Sequence, residues 1–142
     1  MTIAKVIGLE DREIFSCQAG ATVEEAARIL SDRRIGAMPV FEAGKLVGIF
    51  SERDLLYSVA REGAGALYKR VSDVMTAPAI TVAPDTGALD ALSLMTRRRI
   101  RHLPVEEGGR VVAFVSIGDL VKYRVDLIEA EAEQMREYIQ TA

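Results

Sequence analysis

Two short segments carry the residue types best suited to holding a phosphorylated, sugar-bearing ligand: Ser51-Glu52-Arg53-Asp54 and Ser116-Ile117-Gly118-Asp119. Each follows an apolar run with strand character and precedes a stretch with helical spacing. A hydroxyl at a helix start stands beside the unpaired N–H groups of the first turn, where the helix dipole also favours an anion. That suits a phosphate. A carboxylate three residues later repels phosphate, but it accepts hydrogen bonds from both hydroxyls of a ribose. The simpler reading is that Ser51 and Asp54 cap their own helix and contribute about 1 kcal/mol to stability. On sequence alone both readings stand.

The densest cationic run is Arg97-Arg98-Arg99-Ile100-Arg101-His102. Arg97, Arg98 and Arg99 fall where a helix should end, and cations there complement the dipole. His102 is the only histidine and Cys17 the only cysteine. Neither has a partner at metal-ligand spacing, so no metal site is expected. The chain carries no Ser-His-Asp order, P-loop or nucleophile elbow, so no enzyme activity is expected.

The elements that must position these residues occur twice. At a constant offset of 65, Ala26 matches Ala91, Arg33-Arg34-Ile35 matches Arg98-Arg99-Ile100, and Pro39-Val40 matches Pro104-Val105. Gly44, Val47, Ser51 and Asp54-Leu55 then match Gly109, Val112, Ser116 and Asp119-Leu120. In the first copy, 14–17 has strand character, and Gly20-Ala21-Thr22 with Glu24 and Glu25 marks a helix start. Val23, Ala26, Ala27 and Leu30 give that helix one apolar face, which fades near Arg33-Arg34. Pro39 pushes Met38 into an extended strand, a turn follows at 42–45, and 46–50 is a further strand running into a helix near Asp54. The second copy repeats this with strand 79–82, a helix over 86–98, strands 100–105 and 111–115, and a helix after Ser116.

The predicted organisation is copy one at 8–60, a Gly-rich linker at 61–70, copy two at 71–125 and an amphipathic helix at 126–142. Each copy is too small to bury more than a marginal core alone, so the copies should need each other. Val121, Val125, Ile128, Ala132, Met135 and Ile139 alternate spacings of four and three. This stripe either packs on its own module or forms the seam of a homodimer; Ala132 is a weak seam residue.

Hydrophobic residues at 49% and charged ones at 27% fit a soluble globular chain. No apolar run reaches the roughly 20 residues of a membrane span, and no signal or transit composition opens the chain. A cytoplasmic home with reduced thiols is the expectation. The net charge of -3 argues against general nucleic-acid binding, leaving only a local patch at the arginine run.

The repeat resembles the CBS domain, and the chain resembles a stand-alone tandem CBS pair, the Bateman module. The residues that carry this are Gly48-x-x-Ser51-x-x-Asp54, Ile35-x-x-Met38-Pro39-Val40, Ile100-x-x-Leu103-Pro104-Val105 and Ser116-x-x-Asp119. The resemblance implies an α/β (α+β) fold: two β-α-β-β-α repeats packed as a pseudo-twofold pair, extended here by the C-terminal helix. It implies two clefts that take adenosine compounds such as AMP, ADP, ATP, NAD or S-adenosylmethionine, with no cofactor otherwise. It also implies a regulatory role towards an unknown partner protein, and often a homodimer.

By that resemblance one cleft joins Ser51, Arg53 and Asp54 to Ile80, Arg101, His102 and Leu103. The other joins Ser116 and Asp119 to Ile14, Gly36, Ala37 and Met38. Apolar members would sandwich an adenine while neighbouring backbone groups read its edge. Copy two departs from the pattern at Ala113, where the motif has Gly, and at Gly118, which replaces the equivalent of Arg53. The first cleft is therefore expected to hold phosphate more tightly. A dimerisation module with empty clefts and a nucleic-acid binder using the arginine run are the rival readings.

Overall fold

The fold is taken from a computed structural model that describes residues 1–8 and 13–141. In the first repeat a short strand β1 (Cys17–Gln18) leads to helix α2 (Val23–Arg33), the hairpin β2 (Ala37–Glu42) and β3 (Lys45–Ser51), and helix α3 (Glu52–Glu62). β1 pairs parallel with β2, and β2 pairs antiparallel with β3. In the second repeat helix α5 (Ala88–Arg98), hairpin β4 (His102–Glu107) and β5 (Arg110–Ser116), and helix α6 (Ile117–Thr141) repeat that order. The first repeat is thus a β-α-β-β-α unit with a three-stranded sheet, and the second is an α-β-β-α unit with a two-stranded sheet whose opening strand is reduced to an isolated bridge.

Equivalent residues do equivalent work. Both hairpins slip register at the same place, between Val40 and Phe41 and between Val105 and Glu106. Helix α2 ends at Arg34 with φ 53°, and α5 ends at its counterpart Arg99 with φ 55°, both left-handed caps. The N-termini differ. Thr22 and Glu25 form a reciprocal capping box on α2, whereas Gly87 gives α5 no side-chain cap.

Each repeat has its own core, and each core takes a residue from the other repeat's lead-in. Helix α1 (Ile3–Ile7) and helix α4 (Val71–Val74) precede the first and second repeats in sequence, respectively. Ile3, wholly buried, belongs to the second repeat's core with Met95, Leu103, Val105 and Leu120. Val71, also wholly buried, belongs to the first repeat's core with Val23, Met38, Val40 and Phe50. Backbone hydrogen bonds fix the exchange: Ile3 N–H to Thr86 O at 2.9 Å, and Val71 N–H to Ala21 O at 2.8 Å. Burying one such side chain stabilises by about 1.5–3 kcal/mol, so the crossing ties together two units that are each marginal in size.

Four sequence expectations change. The strand expected at 14–17 forms only at Cys17–Gln18, and that at 79–82 is a single parallel bridge between Val82 and Val105. The Gly-rich stretch at 61–70 connects the repeats but is folded: Gly63–Tyr68 is a 3₁₀ helix with Ala66 wholly buried. Small residues there permit close packing on α3 rather than a free link. The C-terminal helix is not separate, since α6 runs unbroken from Ile117 for 25 residues, about 37 Å. Helix α1 went unforeseen because its apolar face is complete only against the second repeat. The expected start of copy one includes 9–12, which lie outside the described residues.

Among the described residues no helix is long and apolar enough to cross a membrane.

Candidate functional site

A cleft of about 210 Å³ opens where the two repeats meet. From the first repeat it is lined by Gly36 and Ala37 at the start of β2, by Ile49 and Ser51 of β3, and by Glu52, Arg53 and Asp54 of α3. The crossing segment adds Thr76, Pro78, Ala79 and Ile80, and the second repeat adds Arg99, Ile100, Arg101 and His102. Six of the seven residues expected of the first cleft therefore share one wall system. Leu103 does not line it, because alternation along β4 turns its side chain into the second repeat's core, where it is wholly buried.

The Ser51-x-x-Asp54 segment is organised as a helix cap. Ser51 N–H donates to Asp54 Oδ2 at 2.9 Å, Ser51 Oγ–H donates to the same oxygen at 3.0 Å, and Asp54 N–H donates to Ser51 Oγ at 3.3 Å. The second carboxylate oxygen accepts from the Thr76 hydroxyl at 2.9 Å. A carboxylate offers about four lone-pair sites, so these three bonds leave acceptor capacity at the cleft wall. Thr76 reaches Asp54 because the crossing segment pairs with β3: Ile49 N–H to Thr76 O and Thr76 N–H to Ile49 O are both 2.9 Å. Gly48 permits that approach. A Cβ at this position would stand 2.8 Å from Thr76 O and 2.7 Å from Met75 Sδ.

The cations converge from both repeats. Arg53 Nη1 donates to the carbonyl of Arg99 at 3.0 Å, so the side chain bridges α3 to the C-terminal cap of α5. Arg101 is exposed at the rim. His102 stacks on Phe114 with centroids 5.5 Å apart, and its ring also meets Gly36, where a Cβ would lie 3.4 Å from Cε1. Burial holds the His102 imidazole below its ordinary value, against the opposing pull of Glu52 and Asp119 and with the help of Arg101. Arg53, Arg99, Arg101 and His102 thus line the cleft together with two acidic residues, Glu52 and Asp54. Arg97 and Arg98 occupy the last turn of α5, where they complement the dipole.

The residues expected of the second cleft are not gathered in this one as a set. Ser116 and Asp119 repeat the cap at the head of α6, with Ser116 N–H to Asp119 Oδ2 at 2.9 Å and Ser116 Oγ–H to the same oxygen at 3.0 Å. Gly36 and Ala37 instead line the first cleft. Met38 is wholly buried in the first repeat's core, for the same alternation that buries Leu103. Ile14 is half-buried ahead of β1. Any contact that Met38 or Leu103 made with a ligand would be through backbone.

Sequence reasoning passed over Thr76, Glu52 and Arg99 as cleft residues. Nothing local marks Thr76, because only the crossing brings it to Asp54; Arg99 contributes through its left-handed cap. Among the described residues no group of three or more His, Cys, Asp or Glu side chains could hold a metal.

Comparison with known proteins places this geometry in a family. The family model for the CBS domain matches twice, at residues 6–61 and 71–126. A CBS domain-containing protein of Arabidopsis thaliana, named as mitochondrial, is 36% identical over 129 residues, covering 87% of this chain but only 63% of the relative. A CBS domain-containing protein of Bacillus subtilis is 31% identical over 108 residues, 76% of each chain. The crystal structure of a CBS-domain containing protein from Agrobacterium tumefaciens superposes with a TM-score of 0.83 at 36% identity, covering 87% of this chain and 99% of that one. The two matched segments, the doubled fold and these likenesses agree: the chain belongs to the CBS domain family, as a tandem pair.

Proposed function

We propose that the chain is a non-enzymatic sensor that binds an adenosine phosphate in the cleft between its repeats and signals to a partner protein through the resulting shift. The observation that carries this reading is the convergence on one cleft of Ser51, Asp54, Arg53, Arg101 and His102 from both repeats, beside the apolar Ile49, Ala79, Ile80 and Ile100. The apolar group offers faces to an adenine, Asp54 has acceptor capacity for ribose hydroxyls, and the guanidinium groups suit phosphate. A solved CBS domain pair, 24% identical, holds 5′-methylthioadenosine and S-adenosyl-L-methionine, which supports an adenosine ligand class for this fold. The excess of arginine over acidic residues in the lining, three against two, favours a phosphate over the sulfonium of S-adenosylmethionine. The small volume favours a mononucleotide whose phosphates reach solvent over NAD. A ligand touching both repeats prefers one relative arrangement and so passes its binding energy to whatever reads that arrangement.

The rival is a module whose clefts stay empty, and the cap supports it, since each hydrogen bond described at Ser51 and Asp54 is internal. Comparing Asp54→Ala with Asp119→Ala in calorimetry and thermal unfolding with AMP, ADP, ATP, NAD and S-adenosylmethionine separates the two. Both variants lose a similar cap, about 1 kcal/mol of stability. Only Asp54→Ala should weaken the nucleotide, by about tenfold or more. No binding to the parent chain at millimolar ligand, or equal affinity in Asp54→Ala, would overturn the proposal.

A further inference from the structure

Helix α6 continues beyond the matched CBS segment, which ends at residue 126, and carries a seam that its own module leaves uncovered. Val121, Val125 and Ile128 are 47%, 46% and 49% exposed, and Met135 and Ile139 are 60% and 68% exposed. The side of α6 that packs on the second repeat is a different one, marked by Leu120, Ile117 and Tyr123. At 100° per residue the seam lies about a quarter turn away from it. The 4-3-4-3-4 spacing makes Val125, Ala132 and Ile139 the a positions of a heptad pattern and Val121, Ile128 and Met135 the d positions.

The flanking charges then choose partner and direction. The e positions are Lys122, Glu129 and Arg136, and the g positions are Arg124, Glu131 and Tyr138. In a parallel pair a g residue meets the e residue five positions on in the other chain. Arg124 then faces Glu129, and Glu131 faces Arg136, each pair occurring twice by symmetry. In an antiparallel pair centred on the same seam, e meets e and g meets g. Lys122 would face Arg136, Glu129 would face Glu129, and Glu131 would face Glu131. Every charged contact repels. The five charged flanking side chains are exposed; Arg136 holds only a surface bond to Glu133 at 3.1 Å, which can exchange at little cost.

We propose that α6 joins two copies of this chain as a parallel, in-register two-stranded coiled coil. This is independent of whether the cleft binds a nucleotide. The full-length chain with Ile139→Cys tests it, because Cys17 is buried and a parallel pair places the two introduced thiols side by side. Light scattering of the unmodified chain should give twice the chain mass, and mild oxidation of Ile139→Cys should link the chains covalently. Arg124→Glu should weaken the dimer about tenfold, and Arg124→Glu with Glu129→Arg should restore it. A monomer at tens of micromolar, a dimer that Ile139→Cys does not cross-link, or no rescue by the charge exchange would each overturn the proposal.

Discussion

Replacing Gly48 with alanine tests how the crossing segment builds the cleft. The added methyl would stand 2.8 Å from the Thr76 carbonyl and 2.7 Å from Met75 Sδ. The sulfur can swing aside, but the carbonyl belongs to backbone paired with Ile49 by two 2.9 Å hydrogen bonds. Relief requires that segment to lift. Two weakened hydrogen bonds cost about 0.5–1.5 kcal/mol each, and overpacking adds about 1–3 kcal/mol. Reduced freedom of the unfolded chain returns about 0.4–1 kcal/mol. The expected net loss is about 1–6 kcal/mol, read from the urea midpoint at unchanged slope. Because Ile49 and Thr76 both line the cleft, nucleotide affinity should fall with stability. Ala113→Gly at the equivalent of Gly48 is the control: it loses a buried methyl and some chain stiffness, about 1 kcal/mol, without touching the cleft. A Gly48→Ala chain within 0.5 kcal/mol of the parent, on the order of surface substitutions, would refute the argument.

Two further outcomes follow from titrating groups. His102 is held below its ordinary value of 6.5 in the fold, so the unfolded chain takes up its proton first. The stability it contributes is whole above about pH 6.5, falls as pH drops from there to the folded value, and then levels; His102→Gln should lose that part of the pH slope in urea titrations, and an unaltered slope would count against it. Burial pushes the Cys17 thiol up to about 11, so a disulfide reagent at pH 8 should label it only as fast as the fold opens, whereas labelling within the mixing time would contradict its placement in the core.

The doubling, the order of elements and the positions of both Ser-x-x-Asp caps were legible because they rest on local chemistry: turn residues, a proline-fixed strand and helical periodicity. Arg34 and Arg99 close their helices where the apolar faces fade. What escaped is what depends on residues far apart. Ile3 reads as an unremarkable terminal residue until its carbon side chain enters the second repeat's core. Thr76 reads as part of a connection until the crossing sets its hydroxyl 2.9 Å from Asp54. The motif positions of Leu103 and Met38 point to the clefts, yet alternation along their strands turns both side chains inward.

The repeat's symmetry breaks at a few positions, and the breaks act together. Arg53 corresponds to Gly118, Arg101 to Gly36, and His102 to Ala37. On one side of each pair stands a cation or an imidazole that lines the first cleft; on the other stands a residue with little or no side chain. Two of those small residues, Gly36 and Ala37, line the same cleft opposite the large ones. Gly36 lies against His102, where an added carbon would come into van der Waals contact with the ring, 3.4 Å from its Cε1. The exchange therefore sets large polar side chains from one repeat beside small residues from the other at a single interface. A symmetric pair carrying Arg and His in both copies would crowd four large side chains into that space; one carrying Gly and Ala in both would leave no cation beyond Arg53 and Arg99. Divergence of the copies is thus a condition for the first cleft's chemistry, and it is why the two Ser-x-x-Asp segments, alike in their caps, stand in unlike surroundings.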